Sequence, residues 1–314
     1  MIESGPAAGA LAASHYAELL GLDRLMSFDM GGTTAKACLV GQQGLTFSDE
    51  FEVSRVYRFK KGSGLPVSVP VIELIEIGSG GGSIARVDSL GLLKVGPDSA
   101  GAMPGPACYG RGGTRPTVTD ANVALGLLPE RLAGGALTLD REQARAAIDA
   151  QIARPLGLGI DAAAAGIRDV ANANMTRAIR AVTVERGVDP RDFTLLAFGG
   201  SGPLHACDLA RALDIPHVLF PRMPGVFTAM GMLTGDVEHY FIRSFAGLLQ
   251  DFDPPTARKI MTDLEAEANK RMLLDGFSPA ESEFSFTIDL RFAGQDSAVP
   301  VPLPTGLGRD TAAD

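Results

Sequence analysis

Glycine is concentrated in four short clusters, and these clusters constrain the possible folds of the chain more than any other feature. There are 38 glycines among 314 residues, about 12% against a usual 7%. Evenly spread glycine would indicate disorder, whereas glycine at the ends of apolar runs predicts loops where the backbone approaches another group closely. The clusters lie at Gly31–Gly32, Gly78–Gly82, Gly101–Gly113 and Gly199–Gly202.

The overall composition excludes several classes of protein. The net charge is −9, and nucleic-acid binding would need clustered Lys and Arg, so we expect no nucleic-acid partner. No apolar run approaches the length of a membrane span, so we expect no membrane association. The three cysteines, Cys38, Cys108 and Cys207, are odd in number and far apart. That pattern excludes a disulfide scaffold and predicts a cytoplasmic protein.

The order of predicted elements indicates an α/β fold. Strands over Leu25–Met30 and Ala35–Val40 flank the first glycine cluster. A strand–loop–helix–strand unit over Phe193–Phe220 is typical of a parallel sheet. The other predicted elements are a helix over 7–20, strands over 47–59, 67–77 and 283–292, a hairpin over 83–95, helices capped by Thr119 or Asp120 and by Asp140, and helices over 161–186 and 254–274.

The length predicts two domains, because domains usually contain roughly 100–200 residues. We place a boundary within 241–253, which gives domains at 1–240 and 241–314. The Pro- and Gly-rich end of the chain, from Pro300, predicts that the second domain is truncated.

The sharpest motif is FDMGGTTAK, residues 28–36. An acidic residue ends a buried strand, two glycines make a tight turn, and two threonines follow. Backbone N–H groups of such a turn can converge on an anionic oxygen. Asp29 could hold Mg²⁺ through water, and Lys36 could neutralise a phosphate. The alternative is a plain hairpin turn, with Asp29 and Lys36 in solvent. The predicted phosphate contacts are Gly31, Gly32, Thr33 and Thr34.

The second motif, FGGSGP at residues 198–203, lies between a predicted strand and helix. Ligands usually bind at this place on open α/β sheets. The motif is neither G-x-G-x-x-G nor a Walker A loop. Gly199, Gly200 and Gly202 would let adenine or ribose lie against the backbone, and the alternative is a tight strand-to-helix connection. Together, the two motifs favour a nucleotide held between two glycine turns of one sheet.

A metal site is a weaker candidate. Cys108, Asp120 and His205 could bind zinc, but no local spacing such as C-x-x-C supports it. Separate loop and cap roles are the alternative, with His205 as a partly exposed structural residue. Arg177 and Arg180 on the long helix could reach a phosphate, although their i, i+3 spacing is more typical of a solvated face.

Five motifs, in order, resemble those of the hydantoinase A/5-oxoprolinase family, which also includes acetone and acetophenone carboxylase subunits. The resemblance covers about residues 2–238. The motifs are DMGGTT (29–34), GSGGGSIA (78–85), GAMPGPACYGRGG (101–113), PTVTDAN (116–122) and FGGSGPLHA (198–206).

The resemblance implies the second half of an actin-like ATPase (sugar kinase/Hsp70 superfamily), followed by the start of an α+β C-terminal domain. Asp29 would then belong to the second phosphate motif, and Gly199–Gly200 to the adenosine motif. The family's N-terminal domain, with the first phosphate motif, is not found in this sequence, so we expect the isolated chain to be inactive. Lys36 departs from the Asp that many relatives carry.

The resemblance also implies an ATP- and Mg²⁺-dependent enzyme that opens a cyclic amide such as hydantoin or 5-oxoproline. ATP would phosphorylate the amide oxygen, and a hydantoinase B-type partner subunit would complete the hydrolysis. Phosphoryl transfer needs positioning and charge neutralisation more than a covalent nucleophile. Two alternatives are a subunit of an ATP-dependent ketone carboxylase and a non-catalytic assembly subunit.

Overall fold

A computed structural model describes residues 4–42, 44–48, 51–53, 63–67, 69, 71–245, 247–295 and 298–303. Its contacts divide the chain into two compact units, Met1–Gly235 and Asp236–Asp314. The domain boundary proposed from the sequence, at 240/241, remains a prediction.

The first unit is built on a six-stranded mixed sheet. The strands of this unit are β1 Leu25–Met30, β2 Ala35–Gly41, β3 Gly44–Leu45, β4 Phe47–Ser48, β5 Phe51–Val53, β6 Leu65–Val67, β7 Val71–Ile72, β8 Ile75–Ile77, β9 Ser83–Val87, β10 Leu93–Ser99, β11 Arg131–Leu132, β12 Leu137–Thr138, β13 Thr194–Phe198 and β14 His217–Leu219. In the six-stranded sheet the strand order is β14-β13-β1-β2-β3, with β8 also pairing with β2. Strands β13 and β14 run parallel to β1, whereas β2 is antiparallel to it.

Helices cover both faces of this sheet. The helices are α1 Ser4–Leu20, α2 Val118–Ala124, α3 Arg141–Ile148, α4 Arg154–Leu156, α5 Ile160–Glu185, α6 Gly202–Leu213 and α7 Phe227–Thr234. A buried cluster joins Leu25 and Phe198 to α1 and to Phe227 of α7. A larger cluster joins Met26 and Phe28 to α2, α5 and α6. Since alternate strand residues face opposite sides, the apolar runs of β1 and β13 are buried on both faces.

Most predicted elements are confirmed. The helix over 7–20, the first two strands, the hairpin over 83–95 and the long helix match α1, β1, β2, β9–β10 and α5. Asp140 caps α3 by accepting a hydrogen bond from the Gln143 N–H at 2.9 Å. The predicted cap of α2 was wrong, because Thr117 is the N-cap and Asp120 is the third helical residue.

The strands predicted over 47–59 and 67–77 are short pieces in the described residues, β4 to β8, and positions 54–62 lie outside those residues. The second unit contains α8 Pro254–Leu274, as predicted, and the antiparallel pair β15 Thr287–Leu290 and β16 Val299–Pro302. β15 is shorter than the strand predicted over 283–292. None of the helices in the described part of the chain has both the length and the apolarity needed to cross a bilayer.

Candidate functional site

The two glycine motifs meet at one edge of the sheet. Strands β1 and β13 are parallel neighbours, with Asp29 opposite Phe198, so the turns that follow them leave the same edge. The Ser201 N–H donates to the Met30 carbonyl at 2.9 Å. The structure therefore brings together the two motifs that the sequence analysis assigned to the two ends of a nucleotide.

Gly199 is the closest point between the two turns. Its φ is +82°, and a Cβ built there would overlap the Asp29 carboxylate and lie 2.7 Å from the Met30 carbonyl oxygen. Only glycine fits this position without strain. The turn after β13 can therefore lie directly against the carboxylate that ends β1.

The glycines of the second motif differ in their exposure to solvent. Gly200 is exposed, and a Cβ built there would have no heavy atom within 4 Å. Gly202 is buried at the start of α6, and its Cβ would lie 3.3 Å from the Phe28 carbonyl oxygen. Close packing of α6 on β1 therefore accounts for Gly202, whereas Gly200 has no packing reason to be glycine.

The turn between β1 and β2 presents backbone donors to solvent. It is closed by a 3.1 Å hydrogen bond from the Gly31 N–H to the Thr34 carbonyl. Gly32 and Thr33 are exposed, and within the described residues nothing accepts a hydrogen bond from the N–H of either one. Adjacent free N–H groups of this kind form an anion-binding concavity.

A third glycine turn supports the first, and the sequence analysis gave it no role in the site. The N–H groups of Gly81 and Gly82 donate to the carbonyls of Gly31 and Gly32, at 3.0 and 2.6 Å. A Cβ on Gly80 would lie 2.5 Å from the Thr33 carbonyl carbon. The Gly78–Gly82 run was visible in the sequence, but its partner turn was not.

Asp29 and Lys36 face each other across the β1–β2 pair. Burial raises the pKa of the Asp29 carboxyl, and the positive charge of Lys36 opposes that rise. The Lys36 side chain is 13% exposed, and its Nζ lies 3.7 Å from Glu76 Oε1. The solvent-facing alternative for Lys36 is therefore wrong. Its contact with a phosphate and the Mg²⁺ role of Asp29 remain predictions.

The predicted zinc set of Cys108, Asp120 and His205 does not form. Within the described residues, no three His, Cys, Asp or Glu side chains are grouped so that they could hold a metal ion. The fully buried Asp120 carboxylate instead accepts hydrogen bonds from the N–H groups of Ala107, Cys108 and Thr117, at 3.2, 2.7 and 2.8 Å, and from Thr117 Oγ1 at 2.8 Å. Asp120 thus fastens the 100–116 loop to the start of α2. Burial, reinforced by Asp120, raises the pKa of the Cys108 thiol.

His205 belongs to a separate buried network between α2, α5 and α6. Its Nδ1 lies 2.7 Å from Asn172 Oδ1, and its Nε2 lies 3.5 Å from Asn122 Nδ2. Asn172 Nδ2 donates to Asp208 Oδ2 at 3.3 Å, and Arg168 donates to both Asn122 and Asp208.

These contacts close a ring, which assigns the neutral imidazole with its proton on Nδ1. Burial, with the charge of Arg168, lowers the pKa of His205 to about 4. The prediction that His205 is structural is supported, but the side chain is fully buried rather than partly exposed. Cys38 and Cys108 are buried, whereas Cys207 is exposed.

Fold and site together define an α/β protein with three glycine turns at one edge of its central sheet. The sequence model of the hydantoinase/oxoprolinase family matches residues 1–240. The chain belongs to that family.

Two of the named relatives are subunits of enzymes of different kinds, a caprolactamase and a carboxylase. The chain is 38% identical over 298 residues to the caprolactamase alpha subunit of Pseudomonas jessenii, covering 94% of this chain and 42% of the relative. It is 38% identical over 305 residues to the acetophenone carboxylase gamma subunit of Aromatoleum aromaticum, covering 93% and 40%. An uncharacterised protein of Methanocaldococcus jannaschii is 43% identical over 304 residues, covering 96% and 44%. The chain thus spans less than half the length of these relatives.

Solved structures agree with the fold. A nucleotide-free acetone carboxylase structure superposes with a TM-score of 0.81 at 27% identity, covering 96% of this chain and 42% of that chain. The ATP-dependent caprolactamase from Pseudomonas jessenii superposes with a TM-score of 0.71 at 35% identity, covering 96% and 43%. The predicted fold class is confirmed.

Proposed function

We propose that this chain is part of an ATP-dependent enzyme that opens a cyclic amide, such as a hydantoin, 5-oxoproline or another lactam. The observation that carries the proposal is the meeting of the Asp29 and Gly199 turns at the ends of β1 and β13. Membership of the hydantoinase/oxoprolinase family and 38% identity to a caprolactamase subunit support this class of substrate.

The residues of the two turns fit a magnesium nucleotide. The exposed N–H groups of Gly32 and Thr33 would bind phosphate oxygens, and the Asp29 carboxylate would hold Mg²⁺ through water. Gly200 has open space above its Cα, where adenosine could lie against the backbone. When bound, Mg²⁺ neutralises charge on the phosphates.

The chemistry needs little from the protein beyond position and charge. The γ-phosphoryl group moves from ATP to the amide oxygen, and ADP leaves. Water then attacks the amide carbon, the carbon–nitrogen bond breaks, and phosphate is released. A hydantoinase B-type subunit would supply the hydrolytic site, because relatives are subunits of larger assemblies.

Nucleotide binding is the first test. Gly32→Val and Gly200→Val place side chains where the structure has open space, so both variants should fold but exclude the ligand. Calorimetric titration of the 314-residue chain with Mg·ATP should give at least tenfold weaker binding for each. Gly159→Ala, also in open space, is the control. Wild-type affinity in both valine variants would contradict the proposal.

A ketone carboxylase is the second candidate, because 38% identity to an acetophenone carboxylase subunit favours it equally. Phosphate release by the chain, alone and reconstituted with the family's N-terminal domain and a B-type subunit, separates the two. Stimulation by hydantoin, 5-oxoproline or caprolactam supports the hydrolase, whereas stimulation that needs both ketone and bicarbonate supports the carboxylase. We expect the chain alone to stay well below about 1 s⁻¹, the low end of ordinary enzyme turnover.

A further inference from the structure

A polar cavity lies beside the third glycine turn, between that turn, β10 and α5. Its volume is about 190 Å³, well above the roughly 10–15 Å³ that one water needs. Gly78 and Ser79 form one wall, Gly96 of β10 a second, and Asn174 and Arg177 of α5 a third.

The hydroxyl of Ser79 lacks a hydrogen-bond partner. The residue is 4% exposed, and its Oγ contacts no donor or acceptor in the described part of the chain. Leaving a buried hydroxyl unpaired is unfavourable, and such groups usually have a partner. Ser79 lines the cavity, and its Oγ is enclosed by protein, so an acceptor bound in the cavity would satisfy the hydroxyl after rotation about the Cα–Cβ bond.

Arg177 gives the cavity a positive charge. It is the only formally charged residue among the described residues that line the cavity. Its Nη2 donates to Asn174 Oδ1 at 3.1 Å, and Asn174 Nδ2 donates to the Val95 carbonyl at 3.3 Å. Asn174 thus ties the guanidinium to the β10 wall, and most of the five N–H donors of Arg177 remain available for a ligand.

We propose that this cavity binds a small oxyanion, either a carboxylate or inorganic phosphate, through Arg177 and the Ser79 hydroxyl. Guanidinium groups favour these anions because they donate charge-assisted and often bidentate hydrogen bonds. The site is separate from the proposed nucleotide turn but adjacent to it, because Gly80, the residue after Ser79, lies against Gly32 and Thr33. Binding here does not depend on ATP.

The test is calorimetric titration of the 314-residue chain with sodium phosphate and, separately, sodium acetate at constant ionic strength. We expect at least one of the two anions to bind. Which one binds shows whether the ligand of the cavity is a phosphate or a carboxylate. Arg177→Gln and Ser79→Ala should each weaken binding about tenfold or more, since hydrogen bonds to charged groups are the strong ones. Ser79→Ala removes an unpaired hydroxyl, so its melting temperature should not fall. Arg154→Gln, a change of an exposed arginine outside the cavity, should bind as wild type.

Gly32→Val, which blocks the nucleotide turn, distinguishes this cavity from that turn. Anion binding that survives Gly32→Val but weakens in Arg177→Gln and Ser79→Ala supports the proposal, whatever the outcome for ATP. The proposal is overturned if neither anion binds, if both cavity variants bind like wild type, or if Gly32→Val alone removes binding.

Discussion

Protonation of His205 should destabilise the first unit strongly as the pH falls. The imidazole is neutral in the folded protein, and its pKa falls from 6.5 to about 4 because of burial and the charge of Arg168. The unfolded chain therefore binds more protons between pH 6.5 and 4, so stability is complete above about pH 6.5 and is lost on acidification through this window. Each pKa unit corresponds to about 1.36 kcal/mol, which gives a total of about 3 kcal/mol.

Urea denaturation followed by circular dichroism, at pH 7.5 and pH 4.5, measures this loss. About 2.5 kcal/mol of the total should be gone at pH 4.5, because most but not all of the window has then been crossed. His205→Gln keeps a donor and an acceptor but does not titrate. Its free energy of unfolding should therefore fall by about 2.5 kcal/mol less than that of wild type between pH 7.5 and pH 4.5. Other titrating groups, such as Asp29 and Asp275, are common to both proteins and cancel in the comparison.

His217→Gln is the matched control for the His-to-Gln substitution itself, because that histidine is exposed in β14. Equal losses of stability in wild type and His205→Gln would refute the assignment of a neutral, ring-bonded imidazole.

Three further predictions concern the turns and the loop beside them. Gly199→Ala should cost about 2–4 kcal/mol of unfolding free energy, from a positive φ and overlap with Asp29, whereas Gly200→Ala should change it by less than about 0.5 kcal/mol; equal melting curves would contradict this. Asp120→Asn should cost about 2–4 kcal/mol in urea denaturation, because an amide N–H₂ would face backbone donors, and a loss below 1 kcal/mol would show that the carboxylate does not fasten the loop. Lys36→Met should raise the pKa of Asp29 in a carbon-13 NMR titration, since the lysine charge lowers it; an unchanged or lower pKa would place Lys36 elsewhere.

Local patterns were sufficient to predict the main elements. The apolar runs of β1 and β13, the glycine breaks after them and the Asp140 cap depend on residues close together in sequence, so their structure follows from backbone preference and burial. The order strand, loop, helix, strand also predicted that β13 and β14 are parallel. The five motifs in order then identified the family.

The contacts between distant segments depended on the tertiary structure. A carboxylate such as that of Asp120 can accept hydrogen bonds at any position, and its sequence neighbours indicated a cap or a metal ligand. Only the folding back of the 100–116 loop brings the N–H groups of Ala107 and Cys108 to it. The same holds for His205, whose partners Asn122 and Asn172 lie 83 and 33 residues away.

Sequence alone therefore determined the family, the α/β order and the two turns that follow β1 and β13. The tertiary structure decided that Gly199 lies against Asp29, that Gly80–Gly82 support the turn between β1 and β2, and that the predicted zinc ligands have other partners. The physical reason is that backbone conformation and strand burial are encoded locally, whereas the pairing of buried polar groups depends on which distant donors and acceptors the packed elements bring within about 3 Å of one another.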